Sequence, residues 1–171
     1  GGGNSISRGF HRATHCRALE WNTDRSVYVA WDFGHNHPAI LWGQINEFDQ
    51  LCVLRELQGT EISTFEFAPK VLEVCKDHYP VPEAAKPTED ESEDETPRPR
   101  RYWFCDPAGT HMNDKSEKTS IDILKDNFRI HCRYQRMPVF TGLEWIRKLL
   151  MLRPDGRPGI LIDSSVLVAA E

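Results

Sequence analysis

The sequence predicts a mixed α/β domain: an antiparallel meander of three strands, then alternating helices and parallel strands, with the helices flanking one sheet. Three observations predict it. Three β-branched and aromatic runs fall between residues 26 and 57, joined by links short enough only for hairpins. Helical apolar spacing then alternates with short apolar runs through the second half. Two of the strand-like runs, VYVAWDFG and RYWFCDPAG, end alike, in Asp32 and Asp106, each followed at once by turn residues.

The 171 residues and 39% apolar content suit one domain with a real core. Residues 1–25 mix Gly, Ser, Arg, His and Thr without periodicity and read as a lead-in with at most an edge strand near 16–20; residues 26–171 read as the domain. Residues 26–32 form the first strand, ended by Phe33-Gly34 and His-Asn-His-Pro. Residues 39–45 and 51–57 form the second and third. Ser63, with Glu66 three residues on, suggests a capping box for a helix reaching His78, with Pro69 in its first turn. Residues 80–100 carry proline, acid and alanine with no apolar period, which predicts a disordered acidic insertion. Residues 102–105 read as a fourth strand, buried on both faces. Thr119 or Ser120 caps a helix through Ile121, Ile123, Leu124 and Phe128, and residues 129–134 read as a fifth strand. A helix over 142–152, with Leu143, Ile146, Leu149 and Leu150 on its apolar face, leads to a last strand at 159–162 and the start of a helix from Val166. This order of elements is the ribonuclease H-like pattern.

Charge is segregated. Residues 83–95 hold seven acids and one lysine, a net of −6 against −5 for the whole chain, which leaves about +1 for the rest. A polyanionic partner is neither demanded nor excluded. Five cysteines, at 16, 52, 75, 105 and 132, form no CxxC pair and no even set, which favours a reducing, intracellular setting. No apolar run approaches the roughly 18 residues that span a bilayer, and GGGNSISRGFHR lacks a signal-peptide core, so a soluble protein is expected.

With the first and fourth strands side by side and parallel, Asp32 and Asp106 would leave the same sheet edge within reach of a common divalent cation. Carboxylates are hard ligands that suit magnesium or manganese, and one or two such ions can activate water and stabilise the leaving oxygen of a phosphodiester. A plain turn-capping aspartate is the alternative for each.

The text VYVAWDFGHNHPAILWGQ, LRELQGTEIST, RYWFCDPAG, SIDILKDNFRIHCRY, TGLEWIRKLLM and ILIDSS, in this order and spacing, resembles the nuclease domain of the tailed-phage terminase large subunit. The resemblance implies a metal-dependent endonuclease that cuts concatemeric DNA with little sequence preference in the cytoplasm of the infected bacterial host. Double-stranded DNA, the packaging ATPase domain, the small terminase subunit and the portal are its implied partners. It places the first two metal-binding acids at Asp32 and Asp106. The family's third acid comes from a helix after the last strand, so the domain reads as C-terminally incomplete with that ligand beyond Glu171. Asp163 and Glu171 are weaker substitutes, since ILIDSS matches a structural strand end. No GxxxxGK[ST] phosphate loop is present, so the ATPase lies elsewhere.

The remaining candidates each have a bland alternative. His35, Asn36 and His37 form an HxH that could hold metal, but a polar hairpin rim explains them as well, with His35 contacting DNA. His111 and Asp114 could line a cleft or be loop residues. Arg98, Arg100 and Arg101, then Arg129, Arg133 and Arg136, are candidate phosphate contacts, whereas Arg147 and Lys148 read as solvated charge. Two other readings share the pattern: a catalytically incomplete ribonuclease H-like module that docks DNA or a partner, and a nuclease of the resolvase or transposase type.

Overall fold

The computed structural model describes residues 9–34, 36–86, 98–105, 119–133 and 150–168. Its elements are α1 (Arg12–His15), β1 (Cys16–Arg17), β2 (Val27–Asp32), β3 (Ala39–Ile45), β4 (Leu51–Gln58), α2 (Thr64–His78), β5 (Arg101–Cys105), α3 (Ser120–Phe128), β6 (Cys132–Arg133), β7 (Ile160–Asp163) and α4 (Ser164–Val168). The strands form one mixed sheet in the order β1-β7-β4-β3-β2-β5-β6. The β2-β3-β4 meander is consecutive in chain and sheet, and β2–β5, β5–β6 and β4–β7 are parallel. The chain divides into two compact units: residues 22–42 with 56–136, and residues 1–21 with 43–55 and 137–171.

In the first unit the alternation of β2 sorts its side chains. Val27, Val29 and Trp31 are buried, while Tyr28 is half-buried and Ala30 and Asp32 are exposed. α2 covers the buried side. Ser63 caps it by accepting from the Glu66 N–H at 3.2 Å, and Phe67, Val71 and Cys75, spaced by four, are all buried. Phe67 meets Trp31 edge-on with centroids 5.8 Å apart, and the Trp42 indole N–H donates to Cys75 Sγ at 3.3 Å. Pro69 lies in the second turn, not the first, because Ser63 fixes the helix start at Thr64; the cost is one missing backbone donor, which this long, capped and buried helix absorbs.

β5 is buried on one face only. Arg101 and Trp103 are buried, whereas Tyr102 is half-buried and Phe104 exposed, so the expectation of burial on both faces is corrected. Tyr102 stacks on Tyr28 across the β2–β5 pair at 5.6 Å. Arg101, grouped by sequence with surface cations, is 8% exposed. It bonds Glu83 Oε1 through Nη1 at 2.7 Å and the Tyr79 carbonyl through Nη2 at 2.8 Å. Glu83 in turn accepts from the Trp103 indole at 2.8 Å. The backbone pairs as well: the Arg101 N–H donates to the Pro82 carbonyl and the Ala84 N–H to the Arg101 carbonyl, at 2.7 and 2.9 Å. Glu83 is therefore a fixed structural residue and not part of a solvated insertion; residues 87–97 lie outside the described residues.

α3 starts in a full capping box at Thr119 and Asp122 and ends at Arg129, whose φ of 57° is left-handed. That corner, closed by the Ile130 N–H on the Leu124 carbonyl at 3.0 Å, explains why the fifth strand begins at Cys132 and not at Arg129; Tyr134, its expected end, lies outside the described residues.

In the second unit, β1 pairs with β7 at Cys16↔Ile162 and Arg17↔Asp163, so the edge strand expected near 16–20 is two residues long. His15 is buried: its Nδ1 accepts from the His11 N–H at 2.9 Å and its Nε2 donates to the Leu150 carbonyl at 2.6 Å. Of the helix expected over 142–152, residues 142–149 lie outside the described residues. Leu150 is helical and buried, but Met151 and Leu152 are exposed and non-helical, Leu152 bridging to Pro158. Among the described residues no helix is long and apolar enough to cross a membrane.

Replacing Glu83 strands the buried Arg101 guanidinium. Glu83→Ala should lower stability by about 2 kcal/mol, less than the several kcal/mol lost on breaking a fully buried pair because Glu83 is 45% exposed. Urea denaturation checks this, with Glu83→Gln intermediate.

Candidate functional site

Parallel pairing of β2 and β5 in the register Val27↔Arg101 through Trp31↔Cys105 brings the C-terminal ends of these strands together at one sheet edge. Asp32 is the last residue of β2, exposed, on the face opposite α2. Asp106 follows Cys105 directly in the sequence and lies outside the described residues, as do His35, Arg136, His111 and Asp114.

The turn after Asp32 explains part of its chemistry. Asp32 Oδ1 accepts from the Gly34 N–H at 3.1 Å, the turn-capping role of an aspartate in this position. Gly34 has φ of +31°, and a Cβ there would sit 2.5 Å from the His37 carbonyl oxygen, so only glycine fits. Capping uses one lone pair of one oxygen. The exposed carboxylate keeps hard-donor capacity, which suits magnesium or manganese, so its chemistry fits such an ion. Among the described residues no three His, Cys, Asp or Glu side chains gather to hold a metal.

Solved structures similar to this chain include phage large terminases and their nuclease domains. The large terminase of a thermophilic bacteriophage superposes with a TM-score of 0.66 at 13% identity, over 96% of this chain and 35% of its own. The nuclease domain of the phage P22 large terminase gives 0.57 at 12%, over 95% of this chain and 73% of that domain. The large terminase nuclease of thermophilic phage G20c, solved with bound magnesium, gives 0.55 at 11%, over 94% and 74%. The chain has the terminase nuclease fold. That fold is ribonuclease H-like. At such identities the likeness concerns the fold, and the chain spans about a third of the large terminase it matches. No protein-family profile and no curated protein matches the sequence.

Within the terminase nuclease fold the other candidates separate. Arg129 is exposed at the α3 corner. Arg133 is half-buried, its guanidinium 5.1 Å from the Tyr102 ring centroid and its Nη2 donating to the Ala85 carbonyl at 3.1 Å. His37 is exposed on the hairpin rim. Asp163, at the end of β7, accepts from the Leu19 N–H through Oδ1 at 2.7 Å and, through Oδ2, from the Ser165 N–H at 3.0 Å and the Ser165 hydroxyl. Its oxygens are occupied in joining β7 to α4 and to the segment after β1. Glu171 lies outside the described residues. Glu83 has a structural role that no local pattern marks, because its partners Arg101 and Trp103 lie far along the chain.

Burial opposes ionisation of Asp163, but hydrogen bonds from Ser165 and Leu19, with Arg55 nearby, outweigh it and hold the carboxyl below its usual range. A depressed folded value stabilises the fold above the ordinary carboxylate pKa of about 3.9, and the gain is lost as pH falls through the folded value. Asp163→Ala should therefore cost about 1 kcal/mol at pH 7 and progressively less below pH 4, as read from urea midpoints across that range.

Proposed function

We propose that this chain is the metal-dependent DNA endonuclease domain of a phage terminase large subunit, hydrolysing phosphodiester bonds of concatemeric DNA with little sequence preference. The supporting observation is the β2–β5 register, which sets the strand ending in Asp32 beside the strand that runs directly into Asp106. Asp32 and Asp106 would hold one or two magnesium or manganese ions. A divalent cation there supplies positive charge that favours a water nucleophile and the departing 3′ oxygen. The chain's own residues supply the rest. Asp32 is oriented by its bond to the Gly34 N–H, and the paired strands hold the site rigid under Trp31, Phe67 and Trp103. His35, Arg129, Arg133 and Arg136 would contact the DNA. Double-stranded DNA, the packaging ATPase domain, the small subunit and the portal would be its partners, in the cytoplasm of the infected host.

Asp32→Asn and Asp106→Asn should each abolish manganese-dependent nicking of supercoiled plasmid, as should chelation by EDTA, while circular dichroism stays that of the unaltered protein. Cleavage at the unaltered rate in either variant rejects the assignment. A chain that binds DNA yet never cuts it would instead be a docking module.

A further inference from the structure

The edge of β5 away from β2 carries two pieces of chain in line: residues 82–84 bonded beside Arg101, and β6 beside Trp103 and Phe104. Cations collect along it. Lys86 follows Ala85, whose carbonyl is held by Arg133. Lys125 stands in the last turn of α3, and the Ile130 N–H on the Leu124 carbonyl folds the entry to β6 back against that turn, with Arg129 at the corner. His131 directly precedes β6 and feels the charges of Lys86 and Lys125. Lys86, Lys125 and Arg129 are exposed, and His131 is half-buried.

Among the described residues the neighbouring acids only partly offset this charge; Glu89, Asp90, Glu91, Glu93, Asp94 and Glu95 lie outside them. Glu83 is engaged by Arg101 and Trp103. Asp122 closes the capping box, with one oxygen 3.8 Å from Lys125, and Asp126 is exposed one residue beyond Lys125. Burial lowers the proton affinity of His131, and the positive charges of Lys86 and Lys125 lower it further; Glu83 opposes and Arg133 reinforces the effect. A surface of this kind, solvent-accessible and positively charged around a half-buried imidazole, suits a phosphate backbone.

We propose that Lys86, Lys125, Arg129 and His131 form a second contact with the DNA backbone, flanking the cleavage edge; this rests on the nuclease reading. Cys132 pairs with Trp103, so His131 is level with Tyr102, four residues before Asp106. At about 3.3 Å per residue that is at most about 13 Å along the strand direction, or about four base pairs of duplex. The surface would hold phosphates upstream or downstream of the cut and keep the duplex in line with the two aspartates.

Fluorescence anisotropy with a short duplex in EDTA, over a NaCl series, reads binding without cleavage. Lys86→Gln/Lys125→Gln/Arg129→Asn, three exposed positions, should weaken binding at least about tenfold and reduce the slope of log K against log[NaCl] by about 2 to 3. In the unaltered protein, adding duplex should move the NMR titration midpoint of His131 upward, and adding polyglutamate should not. An unchanged salt slope in the triple variant, an unmoved His131 midpoint, or an equal response to polyglutamate overturns the proposal. Asp32→Asn should keep the full slope. An unaltered protein that binds with this slope but never cuts therefore fails the nuclease reading alone, whereas a protein that cuts while the triple variant keeps its slope fails this one alone.

Discussion

The parallel hydrogen-bonded pairing of β2 with β5 is the constraint on which the site depends. Parallel neighbours cannot be joined by a hairpin, so the chain must leave the meander, cross the sheet and return in the same direction as β2. α2 makes that crossing. Its cap at Ser63 and its buried stripe of Phe67, Val71 and Cys75 set where it lies on the sheet, and Trp31 and Trp103 fill the space beneath it. A slip of one residue in this register would turn Trp103 outward and Phe104 inward, exchanging a buried indole that has a hydrogen-bond partner for an exposed one.

The return into β5 is fixed by a second device. Arg101 enters the sheet with a charged side chain that the core could not accept alone. Glu83 and the Tyr79 carbonyl neutralise and solvate it, while Pro82 and Ala84 bond its backbone. One buried cation thus ties the end of α2, the following extended segment and the start of β5 together. The same tie draws Lys86 toward the β5 edge, where α3 delivers Lys125 and Arg129. The stretch that forms the structural ion pair also supplies Lys86.

The contrast between Asp32 and Asp163 shows how two aspartates at strand ends acquire different roles. Both cap the turn that follows. Asp32 accepts one bond from the Gly34 N–H and is otherwise exposed on the open face of its strand. Asp163 receives hydrogen bonds on both oxygens from two segments, which makes it a joint. Residue type and strand-end position are the same, and the number of neighbouring N–H groups decides between them.

Local patterning determined a good deal of this protein. Apolar alternation marked β2, β3 and β4 almost to the residue, Ser63 and Thr119 announced their helices, and the Asp-turn endings pointed to the strand edge at Asp32, because these features depend on neighbours a few positions apart. Only the tertiary structure decided the rest. The partial exposure of β5, the burial of Arg101 and the role of Glu83 all depend on segments distant in the chain. An arginine beside two others looks like surface until a carboxylate 18 residues earlier folds onto it. Composition records the charges, but only the folded backbone brings them within the few ångströms at which they act.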